Sequence, residues 1–200
     1  MKPKIIQQGA EAIISLKDNQ ITKNRIKKSY RLPILDEKLR KQRTKSEAKI
    51  INKLNSIINV PKIISVDENK IIIQFIEGKK LSDYLDNLEN KNKIAEQIGE
   101  SIAKIHDLDI IHGDLTTSNI IYKEKEDKVY FIDFGLGFHS AKIEDKAVDL
   151  HLIRQALEAK HFKYWKSLFD SVIKGYRSKD KEKVLKQLEK VESRGRYKKH

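Results

Sequence analysis

The chain has 200 residues, enough for one domain or two small lobes with a real core. It has no cysteine, which excludes disulfides, thiolate metal sites and a cysteine nucleophile. No apolar run reaches membrane-spanning length and no apolar signal segment follows Met1, so the reading is a cytoplasmic protein with no membrane partner. In chain order, Ile5-Ile6 and residues 12–16 flank Gly9 and read as a strand pair, and residues 20–26 form a third strand candidate. Residues 36–55 read as helix, with Leu39, Ala48, Ile51 and Leu54 at helical spacing and Asn59-Val60-Pro61 as the stop. Residues 63–66 and 70–76 read as a hairpin around Asp67-Glu68-Asn69. From Glu77-Gly78 onward the pattern turns helical, first Leu81 to Leu88, then a long stripe of Ile94, Ile98, Ile102 and Ile105. After an apolar strand at 129–132, helices are expected at about 145–160, about 162–175 and about 180–191. Trp165, Phe162, Leu168, Phe169 and Val172 recur at helical spacing and read as core. The predicted fold is α+β and bilobal: a small β-rich lobe with one main helix over residues 1–77, and a reduced helical lobe with a basic tail over 78–200. A nucleotide would sit in the cleft between them.

Two strings in the second half carry chemistry. The first is His112-Gly113-Asp114-Leu115-Thr116-Thr117-Ser118-Asn119, and the second is Asp133-Phe134-Gly135 behind Val129-Tyr130-Phe131-Ile132. Phosphoryl transfer needs an acceptor-side carboxylate and oxygen ligands for Mg²⁺ at fixed distance from a nucleotide. These strings supply such groups in the order and spacing of a kinase catalytic loop and metal loop. Asp and Asn are common turn and cap residues, and either string alone says little. Together they assign Asp114 as the group that orients the attacking hydroxyl or water and takes its proton, and Asn119 and Asp133 as Mg²⁺ ligands. Gly135 is expected to permit the tight turn that follows. A kinase also needs a cation on the nucleotide phosphates and a carboxylate holding it. Lys23 with Glu47 fits that role, although pattern alone leaves Lys27 and Lys28 open. Gln74, Phe75 and Ile76 lie where the adenine would dock. There is no Gly-x-Gly-x-x-Gly; the nearest phosphate-capping candidate is the single-glycine turn Gly9-Ala10-Glu11-Ala12.

Other features bear on partners and regulation. Of the net charge of +13, residues 23–45 hold ten Lys/Arg against Asp36 and Glu37, and residues 174–200 hold eleven against four acids. Clustered cations are the footprint of a polyanion partner, and a solvated Lys-rich surface is the plainer reading. No RNA-reading motif with paired aromatics is visible. Gly113 stands where many kinases keep an Arg that binds a phosphorylated activation loop. From Leu136 to Leu150 the only hydroxyl side chain is Ser140, and no Ala-Pro-Glu follows, so a phospho-switch of the usual type is not expected. His106, His112, His139, His151 and His161 form no metal-binding pattern and read as packing or cap residues, with His112 ordering the catalytic loop.

The residues resemble the Bud-type small atypical kinase/ATPase subunit of the KEOPS complex. The resemblance runs over nearly the whole chain. It rests on Gly9-Ala10-Glu11-Ala12, Lys23-Asn24-Arg25, Lys28-Ser29-Tyr30-Arg31, Leu35-Asp36, Arg43-Thr44 and Glu47-Ala48, the two catalytic strings, Glu144 to Leu150, and the basic tail Arg194-Gly195-Arg196. It implies that Lys23 is the phosphate lysine with Glu47 as its partner, and that Asp149 is the buried carboxylate bracing the catalytic loop. It implies ATP and Mg²⁺ as cofactors, and ATP hydrolysis with weak, non-specific Ser/Thr kinase activity in support of threonylcarbamoyladenosine formation on tRNA. As partners it implies a Kae/TsaD-type catalytic subunit on the C-terminal lobe and a Cgi-type small subunit on the N-terminal lobe. The charge adds a tRNA-facing surface, with Arg194, Arg196, Lys198 and Lys199 as candidates. Two other readings compete: a small-molecule phosphotransferase of the aminoglycoside or choline type, and a non-catalytic nucleotide-sensing scaffold.

Overall fold

A computed structural model describes residues 3–9 and 11–196, with side chains through Arg194. Strands β1 (Lys4–Gln8), β2 (Ala12–Lys17) and β3 (Gln20–Arg25) precede helix α1 (Pro33–Leu54), and β4 (Ile63–Val66) and β5 (Lys70–Gln74) follow it. They form one antiparallel sheet in the order β1-β2-β3-β5-β4, with Lys23 opposite Ile14 on one side and Ile71 on the other. Alternation along β3 turns Lys23 and Arg25 to the covered face and leaves Asn24 exposed. Helix α1 lies against that face through Thr44, Glu47, Ala48, Ile51 and Leu54, a helical spacing in which two of the five side chains are polar. It begins three residues earlier than its apolar pattern suggests, because Pro33 sits in the first turn, where its missing N–H costs nothing. Asp36, three residues on, is wholly covered and accepts from the Lys28 N–H at 3.2 Å and Arg40 Nε at 2.7 Å.

The second lobe opens with β6 (Lys79–Lys80) and the single turn α2 (Leu81–Tyr84). Helix α3 (Lys91–Asp107), β7 (Ile110–Ile111), β8 (Ile120–Lys123), β9 (Lys128–Phe131) and β10 (Phe138–His139) come next. Helices α4 (Ile143–Lys160), α5 (Trp165–Gly175) and α6 (Lys181–Arg196) close the chain. The apolar stripe of α3 is fully buried at Ile94, Ile98 and Ile102, and it packs on Leu168, Val172 and Tyr176. Helices α3 and α5 meet backbone to backbone. A Cβ on Gly99 would stand 2.0 Å from the Val172 carbonyl oxygen, and one on Gly175 2.0 Å from that of Glu96. Val184 and Leu188 bring α6 onto this core. No helix among the described residues is long and apolar enough to cross a membrane.

One core expectation fails. Phe162 is 79% exposed, because α5 starts only at Trp165 and Phe162 falls in the turn closed by Tyr164 N–H on the His161 carbonyl. Outside the helix, the spacing that aligned it with Phe169 has no meaning.

Candidate active site

The two lobes are tied together by an ionic cluster. Lys23 Nζ donates to Glu47 Oε1 at 2.8 Å and to Asp133 Oδ1 at 2.6 Å. Of Lys23, Lys27 and Lys28, only Lys23 lies within β3, and it sits on the covered face. Arg25 Nη2 donates to the other Glu47 oxygen at 2.6 Å. Asp133 has a left-handed backbone, φ 61°, a conformation Asp tolerates better than most side chains. Burial pushes its carboxyl up, but Lys23, by charge and hydrogen bond, and the Gly135 N–H outweigh it and hold Asp133 below the ordinary carboxylate value.

The space beside Gly135 is tight. The Gly135 φ is not in the left-handed region, but an added Cβ would stand 3.0 Å from both Asp133 Oδ1 and Lys23 Nζ, and 3.2 Å from Arg25 Nη2. Gly113 is the residue with the special backbone: φ is 77°, and a Cβ there would meet the Leu136 carbonyl oxygen at 2.5 Å. An Arg before Asp114 is therefore incompatible with this loop, which accounts for its replacement.

The catalytic-loop string is held from three sides. Asp149, on α4, accepts the His112 N–H at 2.6 Å and the Gly113 N–H at 2.9 Å. His106 stands behind it, with Nε2 3.3 Å from Asp149 and Nδ1 2.9 Å from the Tyr176 hydroxyl. His112 accepts from the Asp114 N–H at Nδ1 (3.4 Å) and so donates from Nε2 to the Ile132 carbonyl, 3.2 Å away. Burial holds His112 below the usual imidazole value, in part against the charges of Asp149 and Asp133. The Ile132 N–H returns a bond to the Asn119 carbonyl at 3.0 Å, which fixes the catalytic loop beside the residue preceding Asp133. Asn119 Nδ2 donates to the Asp114 carbonyl (2.8 Å) and to Asp114 Oδ2 (2.9 Å). The third support is His161, whose ring bridges Asp86 Oδ1 at 2.7 Å and Thr117 Oγ1 at 3.3 Å.

The donor set suits a hard divalent cation. Lys23 and Gly135 both use Asp133 Oδ1, and the bonds made by Asn119 use its nitrogen, so one carboxylate oxygen and one amide oxygen are left over.

The remaining expected residues are placed as follows. Glu11 pairs with Arg43 at 2.7 Å and Arg31 at 3.9 Å, while the Gly9 N–H closes the loop on the Ala12 carbonyl at 3.0 Å. Ala12 is buried, and Ala10 lies outside the described residues. The Gln74 N–H is committed to the Lys62 carbonyl and that of Phe75 to Asn19, and Ile76 is buried. Arg194 pairs with Glu144 at 2.6 Å. The side chain of Arg196, and all of Lys198 and Lys199, lie outside the described residues. Arg25 carries no role read from the sequence, and His106 and His161 read there only as packing or cap residues. Two-residue alternation on β3 offered a signal for Arg25. Contacts made across 43 and 44 residues offered none for the two histidines.

Comparison with known proteins decides the family. The RIO domain family matches residues 4–144. A KEOPS complex subunit Bud32 from Pyrococcus abyssi is 43% identical over 97% of this chain and 96% of its own length. The chain belongs to the Bud32 family. Another family member, from Archaeoglobus fulgidus, is described as a probable serine/threonine-protein kinase and is 36% identical over 94% of both chains. A probable bifunctional tRNA threonylcarbamoyladenosine biosynthesis protein from Methanobrevibacter smithii is 43% identical over 96% of this chain, which spans only 36% of that longer protein. Among solved structures, the Rio2 kinase from Chaetomium thermophilum in an ADP/Mg²⁺-phosphoaspartate complex aligns with a TM-score of 0.64 at 15% identity, over 96% of this chain and 70% of that one. The streptomycin–ATP complex of APH(2")-IIa gives 0.63 at 12%, over 94% and 81%. The kinase-like fold is common to both.

Proposed function

We propose that this protein is a Mg²⁺- and ATP-dependent phosphotransferase and ATP hydrolase that works as a KEOPS subunit in threonylcarbamoyladenosine modification of tRNA, with weak Ser/Thr kinase activity. The observation that carries the reading is the convergence of Lys23, Glu47 and Asp133, three residues from two lobes, on one ionic cluster beside the Asp114–Asn119 pair. The names of the Bud32 relatives support the pathway.

In this reading the chain divides at Glu77/Gly78, and adenine packs beside Ile76, since the Gln74 and Phe75 N–H groups are used within the N-terminal lobe. Lys23 binds phosphate oxygens. Asp133 and Asn119 hold Mg²⁺ through their leftover oxygens; when bound, the ion neutralises charge developing on the transferred phosphoryl group. Asp114, oriented by the Asn119 amide, takes the proton of the acceptor, a protein hydroxyl or water.

Two exposed apolar groups support a partner on each lobe: Tyr30, Leu32 and Ile34 for a Cgi-type subunit, and Leu136 and Phe138 for a Kae/TsaD-type subunit. The M. smithii protein, in which a chain like this one is part of a longer bifunctional polypeptide, supports a catalytic neighbour. For tRNA, much of the first basic segment is spoken for: Arg25, Arg31, Arg40, Lys41 and Arg43 all pair with carboxylates. Lys38, Lys45 and Lys49 remain exposed along one outward face of α1 and are the phosphate-facing candidates there.

The test is ATP turnover with and without the partner subunit, for the wild type, Asp114→Asn and Asp133→Ala. Partner-stimulated hydrolysis is expected, falling by on the order of 10²-fold or more in both variants. Undiminished turnover in either one rejects the assignment.

A further inference from the structure

Glu47 is held by two cations from one strand. Its Oε1 takes Lys23 Nζ at 2.8 Å and its Oε2 takes Arg25 Nη2 at 2.6 Å, and all three side chains are more than nine-tenths buried. With Asp133 the cluster holds two positive and two negative groups and is formally neutral. Lys23 has three N–H directions on a flexible stem and divides them between Glu47 and Asp133. The strand that carries Arg25 is pinned by the Arg25 N–H on the Asn69 carbonyl at 2.9 Å. The turn after Asp133 rests on both cations, with the site of a Gly135 Cβ 3.0 Å from Lys23 Nζ and 3.2 Å from Arg25 Nη2.

We propose that Arg25 is a positioning residue for nucleotide binding: it satisfies the second oxygen of Glu47, keeps α1 docked, and so leaves Lys23 free to exchange Asp133 for phosphate. This rests on the ATP reading above and deepens it. Without Arg25 the full Glu47 charge would fall on Lys23. The cluster would carry a net negative charge where a triphosphate has to approach, and Lys23 would be drawn toward the carboxylate and away from phosphate. In kinases with a single Lys–Glu pair, the position of that helix is a point of control. Here a second link from the same strand makes the docked helix a fixed feature, in keeping with an activation stretch whose only hydroxyl is Ser140.

The experiment compares wild type, Arg25→Lys, Arg25→Met, Glu47→Gln and the Arg25→Met/Glu47→Gln double variant, with circular dichroism as the check on folding. Two quantities are read: Mg·ADP affinity by calorimetric titration, and hydrogen exchange of the α1 amides without nucleotide. Arg25→Met is expected to weaken Mg·ADP by about tenfold or more, and Arg25→Lys by no more than about threefold. Exchange of the α1 amides is expected to quicken in Arg25→Met and to stay near the wild-type rate in Arg25→Lys. Because Arg25 acts through the Glu47 carboxylate, Glu47→Gln and the double variant are expected to bind Mg·ADP within about threefold of each other, a comparison that also serves where Arg25→Met alone does not fold. Equal Mg·ADP affinity in wild type and a folded Arg25→Met overturns the proposal, as does a folded Arg25→Lys that binds as weakly as Arg25→Met, or a double variant that binds about tenfold or more weakly than Glu47→Gln. A wild type that binds no Mg·ADP rejects the ATP reading itself. That outcome is distinguishable, because exchange of the α1 amides needs no nucleotide.

Discussion

The two lobes are fastened by different forces. In the N-terminal lobe, the face between β3 and α1 buries Lys23, Arg25, Asp36, Thr44 and Glu47 among its apolar side chains. In the C-terminal lobe, Ile94, Ile98, Ile102, Leu150, Ile153, Leu157, Leu168 and Val172 are all fully buried; of its buried polar groups, His106, His112, Thr117, Asp149 and His161 support the loop from His112 to Asn119, while Lys146 pairs with Asp109 and Asp180 and Ser178 bonds Asp107. Burial of apolar surface is non-directional and tolerates small shifts, whereas a buried ion pair stabilises only in one geometry and costs heavily when a partner is lost. The N-terminal lobe is therefore held by contacts that fix angles. The lobe that supplies the catalytic loop is a packed platform on which a few hydrogen bonds set the backbone.

The strongest way to break this contrast is at the α3–α5 seam. Ile98→Ala removes a fully buried side chain and leaves a cavity, at a cost of about 3–4 kcal/mol. Gly99→Ala puts a methyl group where the Val172 carbonyl stands, forcing the helices apart by overpacking, with a loss of about 3 kcal/mol. Both are measured by urea denaturation followed through Trp165, the sole tryptophan, which lies on α5. Losses below about 1 kcal/mol would mean that this lobe is not packed as described.

Glu47→Ala probes the other lobe. It strands two buried cations, and breaking such a pair costs about 3 kcal/mol. If the lobes differ as argued, hydrogen exchange quickens across β3 and α1 while the amides of α3 and α5 stay protected. Uniform loss of protection would show one cooperative unit and remove the distinction.

A pH scan sharpens the comparison at the boundary. The folded state holds His112 below the ordinary value of 6.5, so it resists a proton that the unfolded chain accepts. The contribution of His112 to stability is complete above that value and declines as pH falls below it. Asp133 also titrates below its ordinary value of 3.8, and its contribution fades only in stronger acid. Urea midpoints read through Trp165 should therefore decline first through the imidazole range, and His112→Gln should flatten that first decline. A curve unchanged by His112→Gln would assign the decline elsewhere.

What the sequence made legible follows the same division. The isoleucine stripe of α3 is a repeating apolar signal, and it marked the helix and its buried face together. The two polar strings stood out because each keeps its spacing within a short loop, and the Ile132 N–H on the Asn119 carbonyl brings the two loops together. Lys23 could not be chosen over Lys27 and Lys28 by pattern, since all three sit in a Lys-rich stretch; what separates them is where β3 ends, at Arg25, with Lys23 on its covered face. Asp36 read as part of a charged surface and is wholly covered, because two arginines and a backbone N–H surround it. Glu11 read as a phosphate-loop residue by position alone, a reading that concerns its backbone; its side chain pairs with Arg43. Ion pairs carry no periodicity, so an interior built from them is indistinguishable in sequence from a solvated one.

The smallest expected effect tests the one place where apolar periodicity misled. Phe162 matches the spacing of Trp165 and Phe169, and if it were core its loss would cost about 3–5 kcal/mol. It stands 79% exposed in the turn between α4 and α5, so Phe162→Ser should change stability by no more than about 0.5 kcal/mol. The neighbouring His161 is buried, and its bonds to Asp86 and Thr117 already fix the turn without help from the phenyl ring. A loss of core size in the isolated protein would show that the turn folds inward and that α5 begins earlier. Unchanged stability would confirm that helix boundaries, and not spacing alone, decide which aromatic residues the C-terminal lobe buries.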